Sequence, residues 1–196
     1  MMTGSPAAPV LLEGVTKQFG ATPALKGLST AIQAGRLTGL VGPDGAGKTT
    51  LIRLMAGLMA PSSGRISILG LDTRRDAADL AEVVGYMPQR FGLYEDLSVM
   101  ENLRLYAALR GVDANHRDQA LDPLLTFTRL GPFTRRLAGN LSGGMKQKLG
   151  LACALLGTPK VLLLDEPSVG VDPVSRQDLW AMVAALTAKG LVVVWA

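Results

Sequence analysis

The chain has 196 residues, of which 48% are hydrophobic and 18% charged, with a formal net charge of +4; this is a globular composition with enough material for one large domain. A single cysteine, Cys153, excludes an intrachain disulfide, and no apolar run is long enough to cross a bilayer. The basic residues are scattered, apart from short pairs such as Arg74-Arg75 and Arg135-Arg136, and no basic stripe with interleaved aromatics points to nucleic acid.

Met1 to Val10 lacks the basic start and long apolar run of a signal peptide. Val10 to Phe19 and Leu25 to Gln33 carry apolar and β-branched residues between Gly and Pro breaks and read as antiparallel edge strands. Arg36 to Val41 is a short apolar strand leading into a glycine loop. Thr49 to Met59 has helical periodicity, with Leu51, Ile52, Leu54, Met55 and Leu58 on the buried side. After the turn Pro61-Ser62-Ser63-Gly64, Arg65 to Leu69 and Val83 to Met87 read as strands. The character then changes. Val99 to Leu109, His116 to Leu130 and Gly143 to Leu156 are predicted helices, with Gly111 and Gly131-Pro132 as stops. Strand Val161 to Leu164, helix Val174 to Lys189 and strand Leu191 to Trp195 complete the chain. The fold class expected is therefore α/β, with a core over residues 1–90 and 158–196 and a helical insert over about 91–157. Cys153 lies in an apolar helical context and reads as a buried, inert thiol.

Three segments carry chemistry. Gly42-Pro43-Asp44-Gly45-Ala46-Gly47-Lys48-Thr49 fits the phosphate-loop pattern, with a strand before it and a helix after it. Gly45 and Gly47 allow turns closed to other residues, so backbone N–H groups can face phosphates at a positive helix N-terminus. Lys48 would reach the β- and γ-phosphates, and the Thr49 hydroxyl would meet Mg²⁺. Asp165-Glu166 follows a buried strand. Alternation along that strand would turn Asp165 towards the metal shell and Glu166 towards an attacking water. Ser142-Gly143-Gly144 opens a helix with a good N-cap and uncovered N–H groups, a second anion site. Because Lys48 already serves the phosphates of its own chain, the natural ligand of Ser142 is a γ-phosphate held by another chain.

With these motifs the chain resembles the nucleotide-binding domain of ABC transporters, over nearly the whole of that domain. It is similar within that family to the N-terminal half of tandem ATP-binding subunits of bacterial ABC-2 type multidrug exporters. Gly85-Tyr86-Met87-Pro88-Gln89 and the following residues to Leu103 carry the closer likeness, together with Gly42 to Thr50 and Gly144 to Ala152. The resemblance implies a P-loop NTPase core with a parallel sheet, an antiparallel β edge subdomain and an inserted α-helical subdomain. It implies ATP and Mg²⁺ as ligands and ATP hydrolysis coupled to export. For partners it implies transmembrane permease subunits and a second nucleotide-binding domain, a copy or the other half of a longer chain. It places the protein at the cytoplasmic face of a bacterial inner membrane.

By the same resemblance, Gln89 approaches Mg²⁺ and water, Phe19 stacks on adenine, and Asp172 lies at the dimer seam. Gly42, Pro43, Ala46 and Thr50 join the nucleotide site, and Tyr94 to Leu103 lies near the membrane partner. There are two departures. The family places a switch histidine a few residues beyond Ala196, so the domain is expected to be truncated at its C-terminus. His116 lies before the signature in a polar stretch and cannot replace that histidine. Asp44 stands where close relatives usually carry Asn, and a carboxylate beside a triphosphate is unfavourable, tuning nucleotide affinity down, unless it points away or is offset by Mg²⁺ or Lys48. These departures leave a second reading open, a non-catalytic half that holds ATP for a partner site. A repair-type ABC ATPase is the weaker third, because no long coiled coil separates the phosphate loop from the signature.

Overall fold

The structure is a computed structural model and describes residues 8–89, 92–115 and 117–196. Its described elements, in chain order, begin with β1 (Val10–Phe19), β2 (Thr22–Ile32), β3 (Leu37–Gly39), α1 (Lys48–Met55), β4 (Ser63–Ile68) and β5 (Leu71–Asp72). Next come α2 (Ala77–Val83), β6 (Val84–Met87), α3 (Val99–Leu109), α4 (Arg117–Thr128) and α5 (Gly143–Ala154). The chain closes with β7 (Val161–Leu164), α6 (Pro173–Ala188) and β8 (Val192–Trp195).

Two sheets form. One is antiparallel, in the order β2-β1-β4-β5; the other is parallel, in the order β3-β8-β7-β6. Their sequences explain the difference. In β7 all of Val161, Leu162, Leu163 and Leu164 are buried, because helices cover both faces of a parallel sheet. In β1, Val10 and Leu12 are buried while Leu11 and Glu13 are exposed, the alternation of a sheet wet on one side. The buried face of α1 (Leu51, Ile52, Leu54, Met55) packs in one cluster with Val10, Leu12 and Ile66 of the antiparallel sheet and with Val161, Leu163 and Val194 of the parallel sheet. The other face of the parallel sheet, Leu162, Leu164 and Val193, packs with Leu179 and Val183 of α6. A separate helical cluster joins Val99, Leu103, Leu121, Leu125, Leu149 and Cys153.

Helix α1 is shorter than its periodicity predicts. It stops at Met55 because Gly57 takes φ 70° and the chain turns back, with Leu58 N donating to Arg53 O at 3.0 Å. Leu58 is consequently 61% exposed and not on the buried side. Elements β5 and α2 have no counterpart in the sequence reading. Only Leu80 of α2 is buried, too little to mark an amphipathic face. Cys153 is buried, and burial pushes its thiol pKa up, as suits an inert core position. His116 and the residues Arg90 and Phe91 lie outside the described residues.

Polar clasps tie the helical cluster to the sheet. Asp178 of α6 takes Lys148 of α5 at 2.7 Å and Arg129 at 3.8 Å. Arg110, after α3, donates to the carbonyls of Ala81 at 2.6 Å and Val84 at 3.0 Å.

Candidate functional site: a phosphate-binding cavity

The loop between β3 and α1 is shaped by its glycines. Gly47 is the N-cap of α1 at φ 88°, and a Cβ there would stand 2.5 Å from the Ala24 carbonyl oxygen. Both the backbone conformation and the space therefore require glycine. No side chain caps α1, so its first N–H groups remain free for an anion. Lys48 curls back over the loop, its Nζ donating to the Gly42 carbonyl at 2.8 Å and to the Pro43 carbonyl at 2.9 Å. The ammonium is thereby held at the mouth of the loop.

A cavity of about 460 Å³ lies over this loop, lined by Phe19, Ala24, Asp44, Gly45, Gly47, Lys48, Thr49, Thr50, Gln89 and Glu166. Four stretches of chain far apart in sequence thus converge on one space. Phe19 is 52% exposed at the end of β1, with the Lys17 ammonium 5.3 Å from its ring centroid. That exposure leaves ring surface available for stacking. Ala24 is a lining residue that no motif marked, for it contributes only a methyl and backbone beside Gly47.

The carboxylates lie just beyond β7. Asp165 is fully buried, and the Thr49 hydroxyl donates to its Oδ1 at 2.8 Å. Its Oδ2 is buried with no hydrogen-bond partner. Gln89 Nε2 donates to Glu166 Oε2 at 2.7 Å. Simple strand alternation does not separate the two acids. Strand β7 ends at Leu164, and Glu166 takes φ 50°, in the left-handed region that a non-glycine residue rarely occupies. Two bonds hold that turn: Asp165 N donates to Met87 O at 2.9 Å and Glu166 N to Ala196 O at 3.1 Å. The neighbouring strand ends β6 and β8 thus hold Glu166 in a costly conformation facing Gln89. Tyr86, one strand over, has its hydroxyl pKa raised, first by burial, with the Asp165 charge adding to it. Its proximity to Asp165 was not read from the sequence.

The residues present fit Mg²⁺. A buried carboxylate oxygen without a partner is costly, and a cation would satisfy it. Thr49, Asp165 and Gln89 present hard oxygen donors. Among the described residues no cluster of three or more His, Cys, Asp or Glu side chains could hold a metal. The donor set therefore suits a cation that arrives with phosphate oxygens of its own, as Mg²⁺ does.

Ser142, Gly143 and Gly144 do not line this cavity. Ser142 caps α5, its hydroxyl accepting from Met145 N at 3.3 Å, and it is exposed together with Gly143. Gly144 is buried, and a Cβ there would collide with the Ser175 side chain at the start of α6. Its absent side chain serves helix packing, a role additional to uncovering N–H groups. Asp172 caps α6 through Ser175 N at 2.9 Å, and that backbone bond holds its carboxyl below the usual range. Beyond Gln89, Asn102 is fully buried. It accepts from Tyr94 N and donates to the carbonyls of Tyr94, Leu97 and Ser98 at 2.9–3.1 Å, which fastens the loop before α3.

Fold and site together define a P-loop nucleotide-binding domain in which a parallel sheet carries a helical insert and an antiparallel flank. The family model described as "ABC transporter" matches residues 25–169. The chain belongs to the ABC transporter family, as its ATP-binding cassette. It is 59% identical over 190 residues to the "Probable multidrug ABC transporter ATP-binding protein YbhF" of Escherichia coli (strain K12), covering 96% of this chain and 33% of that one. The chain thus spans about a third of the length of that relative. To the "Nod factor export ATP-binding protein I" of Burkholderia lata it is 40% identical, covering 94% of this chain and 61% of that one. Among solved structures, the dimeric post-hydrolysis state of the ATP-binding cassette MJ0796 bound to ADP and Pi matches with a TM-score of 0.83 at 26% identity. That match covers 95% of this chain and 86% of the other.

Proposed function

We propose that this chain binds ATP with Mg²⁺ and hydrolyses it to power export of drugs or other small molecules through separate transmembrane subunits. The observation that carries the reading is the single cavity shared by Phe19, Lys48, Thr49, Gln89 and Glu166, with buried Asp165 bonded to its lining residue Thr49. In it Phe19 would stack on the base, and the loop Gly42 to Thr50 would cradle the phosphates, with Lys48 on their charge. Mg²⁺, when bound, neutralises phosphate charge, and Thr49, Asp165 and Gln89 would hold it. Glu166, positioned by Gln89, would orient the attacking water.

Two further parts of the reading concern partners. Ser142 and Gly143 are exposed and do not line the chain's own cavity, which supports a second cassette whose nucleotide they complete. The related cassette solved as a dimer with ADP and Pi supports the same arrangement. No helix among the described residues is long and apolar enough to cross a membrane, and in this reading transmembrane subunits supply the crossing. The loop fastened by Asn102 exposes Tyr94 (54%) and offers those subunits a rigid contact. Work at the inner face of a bacterial membrane follows from this pairing.

Glu166→Gln in the full-length protein tests the reading. ATP turnover should fall at least 100-fold while nucleotide binding persists; turnover at the wild-type rate would refute the role of Glu166. The competing reading, a half that holds ATP without hydrolysing it, predicts undetectable single-turnover hydrolysis beside tight binding in the wild type. The complete set of Lys48, Thr49, Gln89, Asp165 and Glu166 favours hydrolysis.

A further inference from the structure

The charge balance of the cavity leaves one residue without a role. Its lining includes one cation, Lys48, and two carboxylates, Asp44 and Glu166. Asp44 is exposed, and no ion pair among the described residues involves it. Its backbone is fixed in a turn closed by Ala46 N donating to Pro43 O at 3.2 Å, with Gly45 at φ 78°. The turn therefore keeps Asp44 on the loop that is to hold the phosphates. Lys48 offsets only one of the two lining charges, and two backbone carbonyls already take its ammonium.

We propose that Asp44 makes nucleotide binding more dependent on the divalent cation, so that the cavity favours the cation–triphosphate complex over the free triphosphate. This rests on the ATP-binding reading above and deepens it. Repulsion from a fixed carboxylate scales with the charge of the ligand. A free nucleoside triphosphate carries roughly four negative charges near neutral pH and its Mg²⁺ complex roughly two, so the complex meets about half the repulsion. At a separation of roughly 7 Å through water and 0.1 M salt, Asp44 weakens free ATP by about tenfold and Mg·ATP by about threefold. The ratio of the two affinities, the degree to which binding depends on the cation, is then about threefold larger than it would be with a neutral residue at this position.

The test is calorimetric titration of ATP into the full-length protein at 0.1 M salt, in excess Mg²⁺ and again in EDTA. Asp44→Asn and Asp44→Ala should both tighten ATP about tenfold in EDTA and about threefold in Mg²⁺. In about 0.5 M salt both gains should shrink together. An unchanged ratio in both variants overturns the proposal. So does a gain confined to Asp44→Asn, which would trace the effect to the new amide and not to the lost charge. Should the wild type bind ATP under neither condition, the nucleotide reading itself falls, a failure distinct from that of Asp44.

Discussion

The bond between Thr49 and Asp165 can be weighed directly, because it joins the Thr49 hydroxyl to a fully buried carboxylate whose other oxygen has no hydrogen-bond partner. Thr49→Val keeps the β-branched shape and removes the donor. Asp165 is then left with neither oxygen satisfied inside the protein. A hydrogen bond to a charged group contributes about 1.5–3 kcal/mol, and the stranded buried charge puts the loss towards the upper end. For a chain of this size each kcal/mol moves the midpoint by roughly 2–4 °C, so melting should drop by about 3–12 °C. Urea denaturation without nucleotide or metal measures the free energy, and Asp165→Asn completes a double-mutant cycle. In the Asp165→Asn background the valine should cost less than about 1 kcal/mol, because a neutral amide tolerates losing the bond better. A coupling energy below about 0.5 kcal/mol would refute the claim that Thr49 is the partner that makes a buried Asp165 tolerable.

Two other perturbations test how the helical part is joined to the sheet. Gly144→Ala should destabilise by about 1–3 kcal/mol through the clash with Ser175, and Ser175→Gly should restore most of it; failure of that rescue in urea melts would place the cost elsewhere. The Asp178 carboxyl is held below its ordinary value, first by the hydrogen bond from Lys148 and then by that residue's charge. A depressed folded-state pKa contributes stability that is present above about pH 4 and is lost as pH falls through the lowered value. The stability difference between wild type and Asp178→Asn should therefore be constant from neutral pH down to about pH 5 and shrink below about pH 4; a difference that grows on acidification would contradict the assignment.

Much of this molecule was legible in its sequence, and the exceptions have physical causes. The bounds of α3 match its periodicity from Val99 to Leu109, because Ser98 and Glu101 form a reciprocal cap that sequence spacing reveals. Strand β7 was readable because a short run of four apolar residues ending in paired acids suits a strand covered on both faces. Helix α1 was overextended because Leu58 continues the apolar spacing past Gly57, and a glycine C-cap outranks one more leucine. Within the site, the phosphate loop and the paired acids could be found by pattern. The turn at Glu166 could not, since it depends on bonds from β6 and β8, the latter made more than twenty residues later in the chain. Nor could the contact of Gly144 with Ser175, which joins two helix starts that the sequence keeps apart.

The separation of Ser142 from the cavity of its own chain leads to a test that does not depend on any single residue's chemistry. If each ATP sits between Lys48 of one cassette and Ser142 of the facing one, Lys48→Ala and Ser142→Arg disable different halves of a shared site. Each homodimer then contains two broken sites. In a mixed dimer, one site combines both defects and the other combines the intact Lys48 of one subunit with the intact Ser142 of its partner. Equal coexpression of the two full-length variants makes about half of the dimers mixed, each with one working site in two, so turnover should recover to about a quarter of wild type. Sites built within one chain make the opposite prediction, since no mixing can then bring an intact Lys48 and an intact Ser142 to the same nucleotide. Activity no greater than the sum of the two variants measured separately, from dimers shown to have mixed, would therefore rule out a nucleotide shared across the seam. Even then the nucleotide role proposed for the cavity of Phe19, Lys48, Gln89 and Glu166 would stand, because those residues meet within one chain.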